Sequence, residues 1–222
     1  MIDISIYEME HSPFCIPVTQ VLTALGVEYE RIPVPNWNRE LVIKATEGSY
    51  YQVPVLKHGD TVVIESSPDS QDIAQYIDQA FAGGRLFPES NAALQEILIE
   101  HIENDIEAVT FKLVDSLYID SFEDPVAKAM TIRHKERKFG AGCVASWREH
   151  RPSLKVVADQ ALDRFDRILR QSPFILGDEP YYVDFSLYGV IGNYTYRAFN
   201  EIASEHDALV EWSERLAGFC FD

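Results

Sequence analysis

Residues 3–34 read DISIYEMEHSPFCIPVTQVLTALGVEYERIPV. The apolar period changes twice along this stretch. Residues 3–9 alternate about Ile4, Ile6 and Glu8, the two-residue repeat of a strand. Pro13 to Leu25 carries Val18, Val21, Leu22 and Leu25 at helical spacing, and Gly26 ends it. Pro17 then falls in the first turn, where a missing N–H does little harm. Glu28 to Val34 reads as a second strand. Two strands joined through a helix predict a parallel pair with a right-handed crossover.

The pattern continues outward. Asn38 to Thr46 reads as a short helix, with Gly48 beyond it. Gln52 to Lys57 and Thr61 to Glu65 read as strands joined by His58-Gly59-Asp60, a hairpin signal. Pro68 to Phe81 reads as a helix closed by Gly83-Gly84. Residues 1–83 are therefore expected to form an α/β thioredoxin-like domain, four strands with helices on both faces. Arg85 to Asn91 is the linker. Residues 90–222 are expected to form an all-α helical bundle domain, with helices over Ala92–Tyr118, Pro125–His150, Leu154–Arg170, Asp184–Phe199 and His206–Leu216. No repeat or low-complexity tract interrupts this order.

The 222 residues suit two small domains sharing a core. A net charge of −17 argues against nucleic acid and anionic membrane surfaces as partners. No apolar run reaches bilayer length, and MIDISIYEMEHSP has neither the basic nor the apolar region of a signal peptide. Cys15, Cys143 and Cys220 are far apart, which fits reduced thiols and a cytoplasmic location. No Cys/His spacing suggests a metal site.

Four signals occur in one order: Ser12-Pro13-Phe14-Cys15 after the first strand, Gln52-Val53-Pro54-Val55-Leu56, an acidic-Ser pair before Ile73 and Tyr76, and Phe174-Ile175-Leu176-Gly177-Asp178 followed by Asp184. With these the chain resembles the glutathione transferase superfamily over nearly its whole length. The resemblance implies glutathione as co-substrate, a small electrophilic second substrate between the domains, and a homodimer. It implies a cis bond before Pro54, which presents the Val53 backbone to the tripeptide. It places the thiol-stabilising residue at Ser12, with Phe14 beside it, and Lys44 and Trp37 in the segment that meets the glycine carboxylate. The γ-glutamyl end would be held by Glu65-Ser66 or by Asp69-Ser70. Both pairs stay open, because a four-residue extension separates the strand from the motif. Lys138-Phe139-Gly140, Phe174 to Gly177 and Tyr182-Val183-Asp184 resemble β-etherase-type members. The helix at Asp184 lacks the usual Ser/Thr cap partner, so Asp184 is expected to hold it alone.

Physical chemistry supports Ser12 in this role. Free N–H groups at a helix start stabilise an anion, and a hydroxyl there can donate to it. A thiol with an ordinary pKa of roughly 8.5 then ionises near neutrality. Cys15 matches the second cysteine of a glutaredoxin-type pair whose first cysteine is replaced by Ser12. It is either a packing residue or the thiol of a reductase or lyase. Tyr7 is the strand competitor for Ser12. The run from Arg133 to Lys138 is a solvated basic face or a lure for an anionic second substrate. Two classes of function remain: a transferase acting through Ser12, and a non-catalytic ligand-binding or scaffold protein, favoured by the shifted acidic-Ser motif.

Overall fold

β1 (Ile4–Glu8) buries every second side chain, Ile4, Ile6 and Glu8. A computed structural model describes residues 3–68 and 70–222. α1 (Cys15–Ala24) follows and buries Val18, Val21 and Leu22 against the sheet. β2 (Glu30–Pro33) returns parallel to β1, with Ser5 opposite Glu30 and Tyr7 opposite Ile32. α2 (Glu40–Ala45) leads to β3 (Val55–His58), which runs antiparallel to β1 with Ile6 opposite Leu56. β4 (Thr61–Val63) completes the hairpin, and the sheet order is β2-β1-β3-β4. Gly59 turns this hairpin at a φ of 57°, a left-handed conformation that favours glycine. α3 (Asp72–Ile77) runs into one π-helical turn at Asp78–Ala82. The Asp78 carboxylate accepts from the Leu86 and Phe87 amides at 3.0 and 3.3 Å, tying the linker to that turn. The thioredoxin-like expectation holds.

The helical half comprises α4 (Ala92–His101), α5 (Glu107–Tyr118), α6 (Pro125–Phe139), α7 (Cys143–Glu149), α8 (Arg151–Leu169), α9 (Tyr182–Tyr194) and α10 (Asp207–Ala217). The single helix expected over residues 92–118 is continuous but wound through a π turn at Ile102–Ile106. The helix expected over 125–150 breaks at Gly140 and Gly142, both at positive φ, and the Glu136 carboxylate accepts from the Gly142 amide at 2.9 Å. The expected continuation to Phe199 stops at Tyr194, before a short turn in which Arg197 has a φ of 51°. One apolar core runs through both halves: Ile6, Leu22 and Ile73 join Ile102, Phe185 and Trp212 in the same cluster. Among the described residues no helix is long and apolar enough to cross a membrane.

Candidate active site

α1 begins against α9. Gly189 makes room for this contact, since a Cβ there would meet the Pro13 carbonyl oxygen at 2.3 Å and Pro17 Cδ at 2.6 Å. Three residues further along the same helix, Ile16 packs over Gly192. Asn193 Nδ2 donates to the His11 carbonyl at 2.6 Å. α9 thus holds the loop that carries Ser12 at both of that serine's neighbours. Ser12 is 3% exposed and lines a cavity of about 740 Å³ between the halves. Its carbonyl accepts from the Cys15 and Ile16 amides at 3.1 Å, which starts the helical ladder. Its hydroxyl oxygen accepts from the Phe14 amide at 3.3 Å, and the hydroxyl also lies within reach of the Cys15 thiol. Phe14 is exposed and lines the same cavity.

Cys15 opens α1. It is fully buried among Val34, Val42, Val53 and Val55 and is not on the cavity wall. Burial pushes its thiol up to about 12, against a smaller opposing pull from the Ser12 hydroxyl. The catalytic role read for Cys15 meets this obstacle: the thiol has neither access nor ionisation. Tyr7 packs against the same small cluster and is likewise off the cavity wall.

The Val53–Pro54 bond is cis, as expected, and Val53 lines the cavity beside Tyr51 and Gln52. The acidic-Ser motif folds in a way the sequence left open. Glu65 reaches across the extension: its carboxylate accepts from the Ser70 hydroxyl at 2.8 Å and from the Asp72 and Ile73 amides at 2.7 and 3.3 Å. The Ser66 amide donates to Asp72 at 2.7 Å. Glu65, Ser66 and Ser70 are therefore engaged with one another and with the start of α3, off the cavity wall, where Pro68 stands instead. Burial raises the Glu65 carboxyl pKa, with those hydrogen bonds opposing it. Asp69 lies outside the described residues.

Lys44 does not reach the cavity. It faces solvent and pairs with Glu40 at 2.6 Å, one turn back on α2. Arg39, just before α2, lines the cavity in its place. One of its guanidinium hydrogens donates to Asn36 at 3.3 Å, while Nη1 is buried with no partner among the described residues. Burial lowers the Arg39 pKa, the mark of a cation held away from water.

The far wall comes from the helical half. Glu107 lines it directly after the π turn, and burial lifts its carboxyl to about 7. Asp115 and Lys135 approach at 2.5 Å as a close ion pair. His11 is buried between the rings of Tyr118 and Tyr196, at 4.1 and 5.1 Å, and burial takes its imidazole down to about 4, so it is neutral near pH 7. Asn193 Oδ1 is buried and unpartnered among the described residues on the same wall. Arg39 shares a segment with Lys44 and was open to sequence reading. Glu107 and Asn193 carry no motif, since only tertiary packing brings them to Ser12; His11 adjoins Ser12 in the chain, but its burial between Tyr118 and Tyr196 follows only from the fold.

The family model for the glutathione S-transferase N-terminal domain matches residues 6–85, and that for the C-terminal domain matches residues 145–215. The chain belongs to the glutathione S-transferase family. Its family relatives include probable glutathione S-transferases of Nicotiana tabacum and Solanum tuberosum, each 28% identical over 111 residues. These matches take in 49% of this chain, and the chain spans about half the length of the curated relatives it matches, 48% and 49%. Among solved structures it is similar to a glutathione S-transferase of Ceriporiopsis subvermispora in complex with glutathione, at 18% identity and a TM-score of 0.76, covering 96% of this chain and 95% of that one. It is also similar to glutaredoxin 2 of Salmonella typhimurium in complex with glutathione, at 20% identity and a TM-score of 0.73, covering 96% and 93%. At these identities the two structures attest the transferase fold.

Proposed function

We propose that the chain is a glutathione transferase of the serine type. The observation that carries this reading is Ser12, on the cavity wall just before α1, while the neighbouring Cys15 thiol is fully buried and off that wall. The Ser12 hydroxyl and the helix N-terminus hold the glutathione sulfur as thiolate. The Val53 backbone pairs with the cysteinyl backbone of the tripeptide, as a strand added at the sheet end. Arg39, through its unpartnered Nη1, takes the glycine carboxylate. The thiolate lone pair then forms a bond to the electrophilic carbon. The leaving group departs with its bonding pair, and the proton shed at thiol ionisation goes to water. A homodimer and a reducing cytoplasmic setting complete the reading, and sedimentation velocity tests the former.

The experiment is glutathione titrated into wild type and Ser12→Ala, following heat and the ultraviolet band of the thiolate. Binding with a thiolate band that disappears in Ser12→Ala is expected, with turnover of a reactive aryl halide falling by roughly a hundredfold or more. Binding without the band in wild type overturns the catalytic reading.

One observation favours the scaffold alternative. The amides at the start of α3 are already occupied by the Glu65 carboxylate, so a ligand carboxylate there must displace it. Under that reading glutathione binds no more tightly to Glu65→Gln than to wild type, and no thiolate band forms. Under the transferase reading Glu65→Gln changes affinity and the band persists.

A further inference from the structure

α6 is out of keeping with the chain that contains it. The protein has 36 acidic and 19 basic residues, yet α6 carries Lys128, Arg133, Lys135, Arg137 and Lys138 against one acid, Glu136. A solvated helix face would interleave both signs. Glu136 is taken by Arg133 at 2.6 Å and by the Gly142 amide, and Lys135 is neutralised by Asp115. Arg137 and Lys138 line the cavity and have no ion-pair partner among the described residues. The surface beside them is aromatic. Phe111 and Phe139 line the cavity 5.1 Å apart, centroid to centroid, with Trp147 packed edge-on behind them at 5.3 and 5.5 Å. Lys138 Nζ rides 5.2 Å from the Phe139 ring centre, at the rim of that surface. Glu107 is the remaining acid on the wall, and its raised pKa leaves it only partly charged near neutrality.

We propose that the second substrate is an aromatic electrophile bearing an anionic group, carboxylate or sulfonate, with its ring on Phe111 and Phe139 and its anion met by Arg137 and Lys138. The inference rests on the transferase reading of the cavity and specifies its second subsite. Glutathione is itself anionic, so the recognition must be separated from that of the tripeptide.

The test uses two S-aryl conjugates of glutathione that differ only in a para carboxylate or carboxamide on the ring. Each is titrated calorimetrically into the full chain and into Arg137→Gln/Lys138→Gln, at low and at physiological salt. Both substituted residues are exposed, so the variant is expected to fold. The carboxylate conjugate is expected to bind about tenfold more tightly than the carboxamide, with the preference shrinking as salt rises. The double variant is expected to lose most of that preference while carboxamide affinity and glutathione affinity hold. Equal affinities in wild type, or a double variant that weakens both conjugates alike, overturns the inference. Glutathione alone is titrated in parallel. If it binds while the conjugates are not discriminated, only the anion subsite fails. If it does not bind while the carboxylate conjugate is still preferred, the glutathione reading fails and the anion subsite stands. If neither glutathione nor either conjugate binds, both fall.

Discussion

Cys15 is the residue on which sequence and structure bear most differently. A cysteine three places after a motif serine invites a redox reading, but α1 turns its thiol into an apolar cluster where burial raises it to about 12. In the folded protein a thiol reagent is therefore expected to label Cys220 alone quickly, because Cys143 is also buried; denaturant should expose all three. Rapid native labelling of Cys15 overturns this assignment. Arg39 and Lys44 show the opposite case. Both are basic and five residues apart. Only the observed start of α2 at Glu40 decides that Lys44 leans back toward Glu40 in solvent while Arg39 turns inward. Arg39→Ala is expected to weaken glutathione binding by roughly tenfold, the worth of one charge-assisted hydrogen bond, without moving the thiolate band. Lys44→Ala is expected to leave both unchanged. Isothermal titration of the two variants decides between them.

At the scale of elements, the strands and the first helix were legible because each shows one period and a clear stop: Ile4, Ile6 and Glu8 alternate, and Gly26 ends the helix. The break between α6 and α7 was signalled by Gly140 and Gly142 but outweighed by the apolar run around it. Asp184 was legible as a lone cap for α9, and its carboxylate does accept from the Tyr181 amide at 3.1 Å. It also accepts from the Ile175 amide at 2.9 Å and from Trp212 Nε1 at 3.0 Å, partners that no local pattern announces. Asp184→Ala strips an acceptor from three donors, two of them buried, and a loss of about 3 kcal/mol or more is expected in urea unfolding. Burial raises the Asp184 carboxyl to about 6, above its unfolded value of roughly 3.9. The folded state thus binds this proton more tightly than the unfolded state does. Its stabilising contribution is full below the unfolded value and is lost as pH rises through the folded one. Wild type should accordingly gain on Asp184→Asn by about 2–3 kcal/mol as pH falls from roughly 7 to 4, a difference in which other titrating groups cancel. A difference that stays flat across that range excludes Asp184 as the titrating group.

At the scale of the whole molecule, the site is made where α1 meets α9. Nothing in residues 3–34 reveals that Gly189 must lack a side chain. Its role follows only from the 2.3 Å that would separate a Cβ from the Pro13 carbonyl. Gly189→Ala is expected to cost about 1–3 kcal/mol through overpacking and to weaken glutathione binding, because the loop bearing Ser12 is what must shift. Stability lost with glutathione affinity intact would show that the two halves slide without disturbing Ser12.

α9 closes on both neighbours of that serine, with Asn193 on the His11 carbonyl and Gly189 under the Pro13 carbonyl. Nucleophile and specificity are consequently not separable modules. A lineage that recombined its helical half with a foreign sheet half would inherit a changed nucleophile along with a changed substrate range. Chimeras joined in the linker should keep their reactivity only when the α9 glycine and amide come from the same parent as the serine loop.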